Sequence, residues 1–140
     1  MRDDMDFLQN VLIGLGSFAL YFAVSLLALV LFKTVYALVT PHDEWKLVKE
    51  KNLAAAVAFV GAILGFSLAL ASAASNSVSL IDYVVWAIVA LVAQIFAFLL
   101  SRFYVPQLSQ RITDGELPAG IVLAGISVAT GILNAACITY

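Results

Sequence analysis

His42, Asp43 and Glu44 stand side by side and include the only histidine of the 140-residue chain. Imidazole and carboxylate groups can ligate a metal or relay protons at the mouth of a pathway. Adjacent residues on a helix point about 100° apart, however, so these three do not easily converge on one ion. The better reading is the solvated start of a short helix. Thr40 can act as N-cap with Pro41 at the first helical position, and Asp43 can answer the unpaired N–H groups.

Other polar side chains fall inside strongly apolar stretches. Gln94 lies about 21 Å along a helix from Leu80, deep in hydrocarbon if that helix crosses a membrane. Its amide needs a partner there, so it should face another helix or a wet cavity. Ser127, Thr130 and Asn134 make a polar stripe on one helical face. Ser67, Ser72, Ser75 and Asn76 give similar polarity to an earlier segment. These groups could line a small polar crevice, and structural hydrogen bonding between helices accounts for them equally well. Asp82 sits where a helix N-terminus favours negative charge. Ser–His–acid sets, deep carboxylate pairs, phosphate loops and HExxH do not occur, so nothing supports an enzyme. No cofactor or metal is expected. Cys137 is the only cysteine, which excludes an intramolecular disulfide and a Cys-based zinc site.

A second group of residues positions helices. Gly61 and Gly65 form a GxxxG motif, and Gly120, Ala124, Gly125, Ala129 and Gly131 fall in a later stretch. Small residues let backbones approach closely, and packing drives helix association in lipid. The segments carrying them should form the tight core, with Gly61, Gly65, Gly120 and Gly125 at the contact.

The elements that must hold these residues are membrane spans. The chain is 64% hydrophobic and 11% charged, with mean hydropathy +1.05. Charge-free windows run Phe7–Phe32, Asn52–Ile81, Tyr83–Ser101 and Leu117–Tyr140. About 20 apolar residues cross the hydrocarbon layer, so spans are expected at 10–37, 53–75, 80–103 and 118–138. The fold class is an all-α membrane protein in which the lipid bilayer is the principal partner. The first span is long enough to need tilt or to begin with a turn in the headgroup region. The acidic start Arg2-Asp3-Asp4 and the length of the run argue for a retained span rather than a secretory signal. A net charge of −2 gives no basic field for nucleic acid.

Lys33, Lys46, Lys49, Lys51, Arg102 and Arg111 lie in or beside the gaps at 40–52 and 104–117, and only Arg2 lies elsewhere. Basic residues stay cytoplasmic, which places both termini outside. Tyr36, Trp45 and Tyr104 should mark the inner interface, and Tyr83, Trp86 and Tyr140 the outer one. In the first gap, Trp45, Leu47 and Val48 alternate with Glu44, Lys46 and Lys49, as in a short interfacial helix with its apolar side toward the membrane.

The chain repeats. Thr40-Pro41 is echoed by Val105-Pro106, and Lys46-Leu47 by Arg111-Ile112, each 65 positions on. Asn52–Ala56 is echoed by Glu116–Gly120, and Gly61 by Gly125, each 64 positions on. This predicts a single four-helix domain built as a parallel duplication of a two-helix hairpin, about 10–75 and 80–138.

The segments 40–45 (Thr-Pro-His-Asp-Glu-Trp), 52–61, 82–86 (Asp-Tyr-Val-Val-Trp), 106–109 and 131–137, in that order, resemble the YjfL-type bacterial inner-membrane proteins. That family is defined by a duplicated two-span domain of unknown function. The resemblance implies a multi-pass protein of the bacterial inner (plasma) membrane and assigns no catalytic residue. It also implies a genomic neighbourhood of phage-shock-type membrane-remodelling proteins and polyamine-related enzymes, hence a link to envelope stress. The leading expectation is a non-enzymatic membrane subunit or anchor, homo-oligomeric or joined to membrane-stress partner proteins. The alternative is a small channel or transporter for a small polar solute such as a polyamine.

Overall fold

The structure is a computed structural model that describes residues 1–40 and 44–138. Six helices follow one another: α1 Arg2–Val39, α2 Glu44–Lys49, α3 Leu53–Asn76, α4 Leu80–Tyr104, α5 Leu108–Thr113 and α6 Leu117–Cys137. Four of them, α1, α3, α4 and α6, are long and apolar enough to cross a membrane, and the described residues contain no strand. The order long–short–long occurs twice, as the duplication requires. Pro41, His42 and Asp43, with the expected start of the loop helix, and Tyr140 lie outside the described residues.

Local chemistry sets the boundaries. The Asn52 side chain accepts the Ala55 N–H at 3.0 Å and caps α3. Ser79 Oγ accepts the Asp82 N–H at 3.1 Å, while Asp82 Oδ2 accepts the Val78 N–H at 3.0 Å, so Asp82 helps to close the start of α4. Pro118 sits at the start of α6, where its missing N–H costs nothing.

The equivalence of the halves shifts by one residue in the first link. Val39 to Glu44 is one residue longer than Tyr104 to Leu108. The offset is therefore 65 before the link and 64 after it. Leu47 and Val48, rather than Lys46 and Leu47, correspond to Arg111 and Ile112. Backbone bonds confirm the register: the N–H groups of Lys51 and Asn52 donate to the Val48 and Leu47 carbonyls, and those of Gly115 and Glu116 donate to the Ile112 and Arg111 carbonyls.

Helices α3 and α6 are parallel and packed in that register, and theirs is the closest contact in the fold. A Cβ at Gly61 would collide with Ala124, one at Gly120 with Ala54, and one at Gly65 with the Ser127 backbone. The same holds for Gly131 against Gly65. Gly125 is a correction. It is exposed, and a Cβ there would meet nothing within 4 Å. The seam on α6 runs through 120, 124, 127, 131 and 134 at helical spacing, and residue 125 is about 100° from Ala124, the nearest member of it. Gly125 instead lines an open apolar groove of about 590 Å³ with Val57, Val60, Leu64, Ile121 and Val128.

Helix α4 packs against both α3 and α6, and α1 lies outside this trio. Tyr21 stacks on Tyr83 at 5.3 Å and Tyr36 meets Phe98 edge-on at 5.6 Å, so α1 runs parallel to α4. Phe32 stacks on Phe66 of α3 at 4.6 Å. Every residue from Met1 to Leu20 is exposed. With Tyr21 level with Tyr83, residues 2–17 project roughly 24 Å beyond the start of α4 at 1.5 Å per residue. The helix is continuous, with no separate turn at its start, and it begins eight residues before the expected position 10.

Candidate functional site

The polar side chains inside the bundle meet along one face of α4. Gln94 is 3% exposed, and its Nε2 donates to the Ser127 carbonyl of α6 at 3.1 Å. A Cβ on Gly65 would lie 2.7 Å from that Nε2, so the glycine provides the room the amide occupies. Gln94 Oε1 is buried without a hydrogen-bond partner. One turn closer to the start of α4, the Ala90 carbonyl accepts Asn134 Nδ2 at 3.2 Å. Two side-chain amides thus tie α4 to α6 through backbone carbonyls, in surroundings where the alternative for each amide is hydrocarbon.

The rest of the expected stripe divides. Ser127 is buried, but its contribution is its carbonyl. Thr130 is half-buried, and no hydrogen bond joins it to this set among the described residues. Asn76 is exposed and donates within its own helix to the Ser72 carbonyl at 2.9 Å. Ser72 makes the crossing instead: its Oγ donates to the Ala135 carbonyl of α6 at 2.6 Å. Of these polar side chains near the end of α3, Ser72 thus bonds to α6 and Asn76 to its own helix.

At the basic end, Glu44 overturns its sequence reading. It is 3% exposed, not solvated, and Tyr36 Oη donates to its Oε1 at 3.4 Å. Glu44, Leu47 and Val48 form the inward face of α2, at the i, i+3, i+4 spacing of a helix, while Trp45, Lys46 and Lys49 face outward. Strict alternation is a strand pattern, and it set Glu44 among the outward charges. Helical spacing turns Glu44 inward with Leu47 and Val48 and leaves Trp45 exposed. Two tyrosines expected at the interfaces are buried as well. Tyr36 bonds to Glu44, and Tyr83 Oη shares a 2.5 Å hydrogen bond with Ser25 Oγ. Ser25 itself donates to the Tyr21 carbonyl at 2.7 Å, which leaves Tyr83 as donor in that pair. Neither hydroxyl contact was foreseeable, because both join α1 to residues outside its own span.

In the second short helix, Arg111 donates from Nε to Glu116 Oε2 at 2.9 Å and from Nη2 to Oε1. The hydrogen bond from Arg111 holds the Glu116 carboxyl below its ordinary range. Among the described residues no three His, Cys, Asp or Glu side chains gather in metal-binding geometry. His42 and Asp43 lie outside those residues, so their part in any cluster with Glu44 is not described.

The geometry is that of a helical domain with four helices able to cross a membrane, and the sequence comparisons point to membrane proteins. Residues 8–138 match the family described as Domain of Unknown Function (DUF350). The chain belongs to the DUF350 family. It is 40% identical over 132 residues to the UPF0719 inner membrane protein YjfL of Escherichia coli strain K12, covering 94% of this chain and all of that protein. It is 32% identical over 133 residues to the UPF0719 transmembrane protein YshE of Bacillus subtilis strain 168, covering 94% and 97% of the two chains. No solved structure matches. This DUF350 protein is therefore a multi-pass membrane protein of the kind named for the inner membrane in its relatives.

Proposed function

We propose that this DUF350 protein is a non-enzymatic integral inner-membrane subunit or anchor that assembles with another membrane chain through the outer half of α1. One observation carries this reading. The charge-free run of α1 begins at Phe7, yet α1 reaches the bundle only at Tyr21. Phe7, Leu12 and Leu15 are exposed on a helix segment that extends past the start of α4. A helix that is apolar all round is stable where something covers it. A second membrane chain, a copy or a partner, supplies such a cover. The envelope-stress assignment rests on the family resemblance.

In this reading both termini are periplasmic. The support is that Lys33, Lys46, Lys49, Lys51, Arg102 and Arg111 all fall at the α2 and α5 end of the bundle, against Arg2 at the other. The experiment is a cysteine-accessibility scan in intact cells on a Cys137→Ser background. Positions 46 and 110 should be shielded from impermeant reagents and position 77 labelled. Outside labelling at both 46 and 110 would overturn the orientation.

A second reading, a path for a small polar solute, is favoured by the unpartnered Gln94 Oε1. Against it stands the glycine seam, where α3 and α6 touch through their backbones beside that amide. Transport assays on vesicles containing the purified protein separate the two.

A further inference from the structure

Basic charge is handled differently in the two halves of the chain. In the second half the one loop cation, Arg111, is neutralised by Glu116. In the first half Lys33 Nζ lies 4.2 Å from the Trp45 ring centroid and Lys49 Nζ lies 5.6 Å from the same centroid. Among the described residues neither lysine has a carboxylate within ion-pair distance. Both ammonium groups thus lie beside one indole, and attraction to an exposed ring is weak. Two cations without a carboxylate partner among the described residues can accept an anion.

The site is built from three separate elements. Lys33 comes from α1, nearly two turns before its end at Val39, and its stem carries the charge to the Trp45 ring. Trp45 and Lys49 come from the outward face of α2. Phe59 of α3 backs the indole at 5.8 Å. Trp45 is 42% exposed, at the end of the bundle where headgroups lie.

The shared fold does not require this cluster. By the offsets of 65 and 64, the positions matching Lys33, Trp45 and Lys49 are Phe98, Ser109 and Thr113, and no cation or indole stands there. The second half makes the same helices and the same turn without them.

We infer that Lys33, Trp45 and Lys49 bind the phosphate of an anionic phospholipid headgroup at the basic end of the bundle. The two ammonium groups supply point charges and N–H donors to the phosphate oxygens, and the indole packs at headgroup depth. Basic pockets beside membrane helices recognise headgroups by this chemistry. A phospholipid, rather than a free anion, fits a cluster whose aromatic platform lies at the interface and whose first lysine rises from inside a membrane span.

The test uses the full chain in nanodiscs with Trp86→Phe, so that Trp45 is the sole tryptophan. Quenching by phosphatidylglycerol brominated near the glycerol end of its chains is compared with quenching by the matching brominated phosphatidylcholine. The expected result is a severalfold preference for phosphatidylglycerol that falls toward unity in Lys33→Gln/Lys49→Gln. Equal quenching by both lipids in the protein with its lysines intact would overturn the proposal without recourse to the variant. So would a preference that the double variant retains while folded. Inorganic phosphate is added to phosphatidylcholine nanodiscs as the third arm. It should leave Trp45 emission and lipid preference unchanged; competition by phosphate alone would make this a free-anion site and overturn the lipid assignment.

Discussion

Lys51 and Gly115 occupy the same backbone position in the two halves of the chain. Both are left-handed, with φ of 64° and 79°, and both donate their N–H to the carbonyl three residues back. The residue after each donates five residues back, which completes the hydrogen-bond pair of a Schellman turn. Gly115 takes this conformation freely, whereas Lys51 carries a Cβ that opposes it.

Lys51→Gly should therefore stabilise the protein, by about 1 kcal/mol once the extra freedom of glycine in the unfolded chain is subtracted from the relieved strain. Gly115→Lys should destabilise it by a similar amount. Thermal unfolding in a fixed detergent measures both. A loss of stability in Lys51→Gly would mean that the lysine side chain outweighs its backbone strain.

The glycines of α3 and α6 should respond unequally. Gly65→Leu drives a side chain into the Ser127 backbone, which cannot give way as a flexible side chain can. A loss of about 1–3 kcal/mol is expected, as for overpacked cores generally. Gly125→Leu adds its side chain to open space beside the apolar groove and should leave stability nearly unchanged. Equal losses in the two variants would contradict the seam described here.

Gln94→Leu removes one interhelical bond and, with it, a buried oxygen that has no partner. The two effects oppose, so the loss should stay near the 0.6 kcal/mol typical of hydrogen bonds between membrane helices. Complementation at wild-type membrane abundance checks the functional side. Full rescue fits a structural amide. Failed rescue with normal stability would favour the solute path.

The sequence made the spans legible because four charge-free runs and the clustering of basic residues are properties of composition. The repeated order of long and short helices was legible too, through the proline, basic and glycine order. What it could not supply was phase. Gly61 and Gly125 align as repeats, yet one meets Ala124 and the other faces a groove, because the contact between α3 and α6 uses faces that do not correspond in the repeat. Glu44 looked solvated because its partner, Tyr36, belongs to the preceding helix. The Lys33–Trp45 contact was hidden for the same reason: it joins two elements across a loop.

The subunit reading is tested most directly by a photoreactive amino acid at Leu12, on the projecting half of α1, compared with one at Val92, exposed on α4 within the bundle. Irradiated in native membranes, the Leu12 probe should yield a discrete protein adduct, whose mass identifies a second copy or a partner, while the Val92 probe yields lipid adducts. Lipid adducts alone at Leu12 would contradict assembly through α1.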